Sequence, residues 1–324
     1  MDGAVVSGTH RAFIAASDAE LVDGTVAFVC AGLDAGEPVV VACTEATAEL
    51  LHKGLADRPQ VIWAEWAEVY GNGPAAAVTA VRRLGERHRT AAGEVVRIVL
   101  EPFAGPDRDT WREWQRYDAV LDHQLDEAEA LARGALLVLC LCDTRRVPEP
   151  LVDAARATHP LLQVDGRAQP NPDHVDATEY LTSLPVPDEP LEATQPLLRA
   201  DSVRDLRGLR RDLTARARDA GLAAGSELAL EDFLLAVDEM TTNALRHGRP
   251  PVDLRLWADQ DRLVCTVTDR GRGLQDPFIG YGPAHGDDLS LGGMGLWLAR
   301  QLCDHVDITL TGDGVRVRLT TVLR

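Results

Sequence analysis

In DEMTTNALRHG, residues 238 to 248, a glutamate, an asparagine and a histidine recur at every fourth position: Glu239, Asn243 and His247. On a helix that spacing sets the three side chains along one stripe. The stripe is either a solvated seam or the polar floor of a site. Two glycine-rich stretches follow. TDRGRGL, 268 to 274, ends a strand-like run at Asp269 and carries Gly271 and Gly273, which permit a tight turn or close backbone approach to a ligand. LGGMGLWLARQLCD, 291 to 304, places Gly292, Gly293 and Gly295 at the opening of a helix. Amides exposed there would align with the helix dipole, the chemistry of a phosphate cradle. Neither GxxxxGK[ST] nor GxGxxG is present at this point.

Elements must hold these residues in place, and the chain is long enough to supply them. Its 324 residues predict two domains, and its 45% hydrophobic and 26% charged content is that of a folded globular chain. The net charge of −18 disfavours nucleic acid and anionic membrane as partners and favours proteins or small molecules, a nucleotide with magnesium included. No signal segment and no long apolar span is visible, so a cytoplasmic location is expected. Six cysteines are too few for a disulfide scaffold; Cys140 and Cys142 alternate in an apolar run and read as buried thiols.

The proline- and acid-rich PVPDEPLEATQP, 185 to 196, divides the chain. The expected domains are 1–184 and 200–324, with 185–199 as an exposed linker. Before it, buried-type strands at 38–45, 61–66, 95–102 and 135–143 alternate with helices at 46–57, 73–89 and 111–133, which predicts an α/β fold with a mostly parallel sheet covered on both sides. After it, two helices, 202–221 and 226–248, precede four alternating strands with one helix among them, which predicts helices on one face of a mixed or antiparallel sheet. Leu230, Phe233, Leu234, Val237, Met240, Thr241, Ala244 and Leu245 trace the apolar face of the second helix.

The three polar stretches fall in one order within about 60 residues, and together they resemble the histidine-kinase-like ATPase superfamily, in particular its bacterial anti-sigma serine/threonine kinases. Glu239, Asn243, His247 and Gly248 resemble the N-box. Asp269, Gly271 and Gly273 resemble the adenine-binding DxGxG, and Gly292, Gly293 and Gly295 the phosphate-side glycine box. The resemblance covers about residues 200 to 323 and implies a two-layer α/β sandwich of the Bergerat (GHKL) type, with ATP and Mg2+ as cofactors. It implies that Asn243 holds the magnesium ion and that Asp269 accepts a hydrogen bond from the adenine amino group. Gly271 and Gly273 would then let the base approach, and Gly293 and Gly295 would offer amides to phosphate. His247 would contact phosphate or cap its helix. Glu239 would be the base that takes a proton from water or from a partner's serine, and Asp238 points elsewhere. The loop at 274–290 lies where these ATPases carry a lid.

A sensor histidine kinase is disfavoured, because the first helix of this half holds no histidine; a repair or chaperone ATPase of the superfamily, which carries a large downstream transducer domain, is not expected, because little room remains beyond the last strand. The resemblance instead implies an anti-sigma factor that binds a sigma factor as a homodimer and phosphorylates a STAS-fold anti-anti-sigma partner. Rival readings are an ATP-gated binding switch without catalysis and a ligand sensor with a vestigial ATPase.

The first 180 residues resemble the MEDS sensory domain on His10, on 28–45, on LCDTRRVP at 141–148 and on ARATHP at 155–160. That resemblance implies a RecA-like three-layer sandwich, here without a Walker lysine, acting as a sensor or docking module with a possible small-molecule ligand. His10, Cys140, Cys142, Asp143 and His159 can be assembled on paper into a metal site, but no spacing matches a zinc framework; core thiols and surface histidines are the expectation. Trp63 with Trp66, and Trp111 with Trp114, would either pack or line a cleft.

Overall fold

The computed structural model describes residues 9–90, 95–102, 110–130, 136–219, 227–274, 276–282 and 294–323. The chain divides into two compact units, Met1–Leu184 and Pro185–Arg324. Among the described residues no helix is long and apolar enough to cross a membrane.

The amino-terminal unit is built on a seven-stranded sheet in the order β3-β2-β4-β5-β1-β6-β7. Its strands are β1 His10–Ala15, β2 Val39–Cys43, β3 Ile62–Glu65, β4 Val96–Leu100, β5 Leu136–Asp143, β6 Leu161–Val164 and β7 Arg167–Pro170. All neighbours run parallel except the edge pair β6 and β7. The helices are α1 Asp18–Asp34, α2 Glu45–Gly54, α3 Trp66–Tyr70, α4 Pro74–His88, α5 Trp111–Ala130, α6 Glu149–Thr158 and α7 Ala177–Ser183. Ser17 and Thr44 start α1 and α2 by accepting the amides of Glu20 and Thr47.

Strand alternation sorts this core into layers. Val39, Val41, Leu139 and Leu141 pack with Leu21, Phe28 and Val29 of α1 and Leu51 of α2. The intervening residues Val40, Val138, Cys140 and Cys142 are equally buried, on the other face. A sheet buried on both sides needs strands apolar on both sides, which is why these runs lack polar alternation. Trp66 and Trp114 pack: with Tyr70 and Tyr117 they form one aromatic cluster, with the Trp66 indole donating to the Glu101 carbonyl at 2.8 Å.

The carboxy-terminal unit has a five-stranded antiparallel sheet in the order β11-β12-β10-β9-β8. These strands are β8 Leu198–Ala200, β9 Asp253–Ala258, β10 Arg262–Asp269, β11 His305–Thr311 and β12 Gly314–Val322. Helices α8 Leu206–Asp219, α9 Glu227–His247 and α10 Met294–Leu302 share one core with Leu254, Leu256, Leu263, Cys265, Val267 and Leu319. This is a two-layer arrangement, helices on one face of the sheet.

The stretch expected to be an exposed linker lies along this unit. Residues Pro190–Ala193 form a 3-10 turn, and Glu192 pairs with Arg316 and Arg318 of β12. Arg318 also donates to the Pro187 carbonyl at 2.8 Å, and the Trp257 indole donates to the Thr194 carbonyl at 3.1 Å. Arg316, Arg318 and Trp257 alternate with the core-facing residues of their strands, so the segment runs over the face opposite the helices. Its prolines lack amide donors, yet its carboxylates and carbonyls satisfy arginines projecting from the sheet.

Candidate functional site

Helix α9 positions the first group of residues. Phe233, Leu234, Ala236, Val237, Met240, Thr241 and Ala244 are buried against the sheet, and this fixes the rotation of the helix. Glu239 and Asn243 then fall half-buried on its border, with His247 exposed at its end. Leu245, expected on the apolar face, is 38% exposed, because it lies about 100° around from Ala244 in the last turn. Asp238 points to α8 and pairs with Arg210 at 2.9 Å; burial raises its pKa against the pull of that arginine.

Asn243, His247, Asp269, Gly271 and Gly273 line one cavity of about 420 Å³, a size suited to a small-molecule ligand. Met240, Val267, Leu296, Ile308 and Val317 give it an apolar wall, and Arg249 and Arg272 also line it. At the end of β10, Asp269 Oδ1 accepts the amides of Arg249 at 3.2 Å and Gly271 at 2.5 Å. No hydrogen bond to its Oδ2 is made among the described residues. A side chain at Gly271 would meet Asp269 Oδ1 at 2.6 Å, and Gly273 has φ +75°. Both positions therefore favour glycine, the first by space and the second by backbone.

Gly295, in the first turn of α10, closes the polar corner. A Cβ there would lie 2.7 Å from Glu239 Oε2 and 3.0 Å from Asn243 Nδ2, so the carboxylate, the amide and this backbone meet at one point. Asn243 makes no side-chain hydrogen bond among the described residues, which leaves its carbonyl oxygen available to a cation. Gly292 and Gly293 lie outside the described residues, as do residue 275 and residues 283–290 of the expected lid. Residues 276–282 pack on α10: Tyr281 is buried, with the Arg300 guanidinium 4.0 Å from its ring centre.

Sequence reading did not single out the Arg249 amide or the apolar wall. The amide carries no side-chain signal, and Ile308 and Val317 read simply as inward strand positions.

Two family models match the chain. Residues 199–321 match a histidine kinase-like ATPase domain, and residues 9–160 match the MEDS domain, the methanogen/methylotroph DcmR sensory domain. The chain is thus a family-level match to such an ATPase joined to a MEDS domain. Among curated proteins it is similar to the serine-protein kinase RsbW of Bacillus velezensis, at 35% identity over 105 residues, and to that of Bacillus subtilis, also at 35% over 105. The RsbW of Bacillus pumilus is 34% identical over 107 residues. These matches take in 29% of this chain and 65% of each relative's length.

Proposed function

We propose that the carboxy-terminal unit binds ATP with Mg2+ and transfers the γ-phosphoryl group to a serine or threonine of a protein partner. The observation that carries this is the meeting of Glu239, Asn243 and Gly295 beside a cavity lined by Asn243, Asp269, Gly271 and Gly273. Similarity to serine-protein kinases supports the acceptor class.

In this reading Asp269 receives the adenine amino group on Oδ2, while its Oδ1 stays fixed by two backbone amides. The start of α10 faces phosphate with free amides. Asn243 holds Mg2+, which when bound offsets charge on the phosphates. Glu239 takes the proton of the partner's hydroxyl as the oxygen bonds to the γ-phosphorus; the bond from that phosphorus to the β–γ bridging oxygen breaks, and ADP leaves. His247, exposed at the cavity rim, contacts phosphate. The wider role is that of a cytoplasmic, homodimeric anti-sigma factor acting on a STAS-fold anti-anti-sigma partner. The amino-terminal unit, whose layered and mostly parallel sheet supports a RecA-like reading, serves as the sensor.

Calorimetric titration with ATP, with and without Mg2+, tests the site. Magnesium-dependent binding that Asn243→Ala abolishes is expected, with Glu239→Ala retaining binding and losing phosphoryl transfer. A folded wild-type protein that binds no nucleotide overturns the reading. Binding with no transfer to any STAS-fold acceptor leaves a nucleotide-gated switch instead.

A further inference from the structure

The amino-terminal unit encloses a second convergence of reactive groups. His10 of β1, Asp118 of α5, Cys140 of β5 and His159 at the end of α6 each bring one donor atom within 4.8 Å of the others. All four are at most 1% exposed, so the histidines expected at the surface are core residues. Cys142 and Asp143 are not part of the set. Asp118, which reads in sequence as an ordinary polar position of a long helix, takes their place.

Each donor is oriented by its neighbours. His159 Nδ1 lies 2.8 Å from the Ala155 carbonyl. A carbonyl only accepts, so Nδ1 carries the proton and the lone pair is on Nε2, which has no hydrogen-bond partner. His10 Nδ1 lies 3.2 Å from Asp122 Oδ1, and its Nε2 faces Cys140 Sγ at 3.5 Å. Asp122, further held by His174 at 3.4 Å, is the kind of carboxylate that steadies a metal-binding imidazole from behind. Neither carboxylate oxygen of Asp118 has a hydrogen-bond partner, although the residue is fully buried. A buried carboxylate in that condition stays neutral or meets a cation.

We infer that His10 Nε2, Asp118, Cys140 Sγ and His159 Nε2 bind one zinc ion. Two imidazoles, a thiolate and a carboxylate make a borderline-soft set that suits zinc. With Zn–S of about 2.3 Å and Zn–N of about 2.0 Å, a tetrahedral angle spans about 3.5 Å between sulfur and nitrogen. The Cys140–His10 separation is 3.5 Å. The widest pair, up to 4.8 Å apart, needs to close by up to about 1.5 Å to reach tetrahedral geometry. Four protein ligands complete the coordination, as in sites that hold structure, and the ion would tie β1, β5, α5 and the end of α6 together. The set spreads from residue 10 to residue 159, which is why no Cys/His spacing disclosed it.

Cys140, His10 and Asp122 also fall in the order of a nucleophile, base and orienting acid. That alternative leaves Asp118 and the His159 lone pair unexplained and denies substrate any access to a thiol 1% exposed.

The test uses the full-length protein, reduced, stripped with chelator and free of nucleotide. Zinc is titrated against a chromophoric competitor, and cobalt is added in parallel for its spectrum. One zinc per chain is expected, with a raised thermal midpoint, tetrahedral cobalt bands and a sulfur-to-cobalt charge-transfer band. Cys140→Ser removes that band, Asp118→Asn loses stoichiometric uptake, and Asp122→Asn weakens zinc affinity about 10- to 100-fold. Circular dichroism establishes that each variant is folded. No uptake by folded wild type overturns the inference, as does uptake equal in Cys140→Ser and Asp118→Asn. Rapid alkylation of Cys140 in native protein that takes up no zinc overturns it in favour of a nucleophile.

Discussion

Gly295→Ala separates folding from chemistry at the candidate kinase site. The added Cβ would sit 2.7 Å from Glu239 Oε2 and 3.0 Å from Asn243 Nδ2. Carbon contacts settle near ~3.5 Å, so the carboxylate must retreat by about 0.8 Å. It can do so at little expense, because it is the end of a flexible side chain. Alanine in a helix is also favoured over glycine by about 0.5–1 kcal/mol, so stability should hold or rise. The retreat matters for proton transfer: a misplacement of about 1 Å costs on the order of 10²-fold in rate, or about 2.7 kcal/mol in the barrier. The assay is the initial rate of γ-phosphoryl transfer to a purified STAS-fold acceptor at saturating ATP and Mg2+, beside a thermal unfolding curve. The expected result is kcat down about 10²-fold with an unchanged or higher midpoint. A folded variant within twofold of the wild-type rate would refute the placement of Glu239 as the base.

Asp269→Asn keeps the shape of the β10 terminus but loses charge and one acceptor, so ATP affinity should fall about 10- to 100-fold by calorimetry; unchanged affinity removes Asp269 from the base pocket. Glu192→Ala strips a partner from Arg316 and from the buried Arg318 and should destabilise the carboxy-terminal unit by about 1–3 kcal/mol, read in denaturant titrations; an unmoved midpoint would show the docked segment to be passive. Hydrogen bonds from Arg145 hold the Asp143 carboxyl below the ordinary range. Such a group stabilises the fold above its unfolded pKa, about 3.9, and that contribution fades as pH falls through the native value. Asp143→Asn should therefore flatten the loss of stability as pH falls below about 4; an equally steep acid limb would count against it.

Long patterned elements were legible in the sequence, and pairings were not. The runs at β2, β4 and β5 are apolar on both faces, a pattern that only a covered parallel sheet accommodates. Strand β7 is exposed throughout and contains Pro170, so its pairing with β6 exists only once the sheet is formed. Strand β8 has three residues and follows a proline-rich stretch; its place beside β9 is a tertiary event. In the candidate nucleotide site, the resemblance carried by three polar stretches in one order pointed to Asn243 and Asp269, whereas the approach of Gly295 to Glu239 depends on how α10 crosses α9. The buried cluster was hidden for the converse reason: its donors sit on four elements, and Asp118 looks like any solvent-facing acid until α5 is laid on the sheet.

Strand β8 also decides where the carboxy-terminal unit can be cut free. It covers the outer edge of β9, with Leu198 opposite Leu256 and the Leu197 amide bonded to the Leu256 carbonyl at 2.7 Å. A fragment beginning after Ala200 would bare that edge, together with the backbone groups that recruit stray strands into aggregates. One beginning at Pro185 keeps both the edge strand and the acidic segment beneath Arg316 and Arg318. The connecting peptide is thus part of the carboxy-terminal unit's own fold, and excision should respect it as one would a terminal strand.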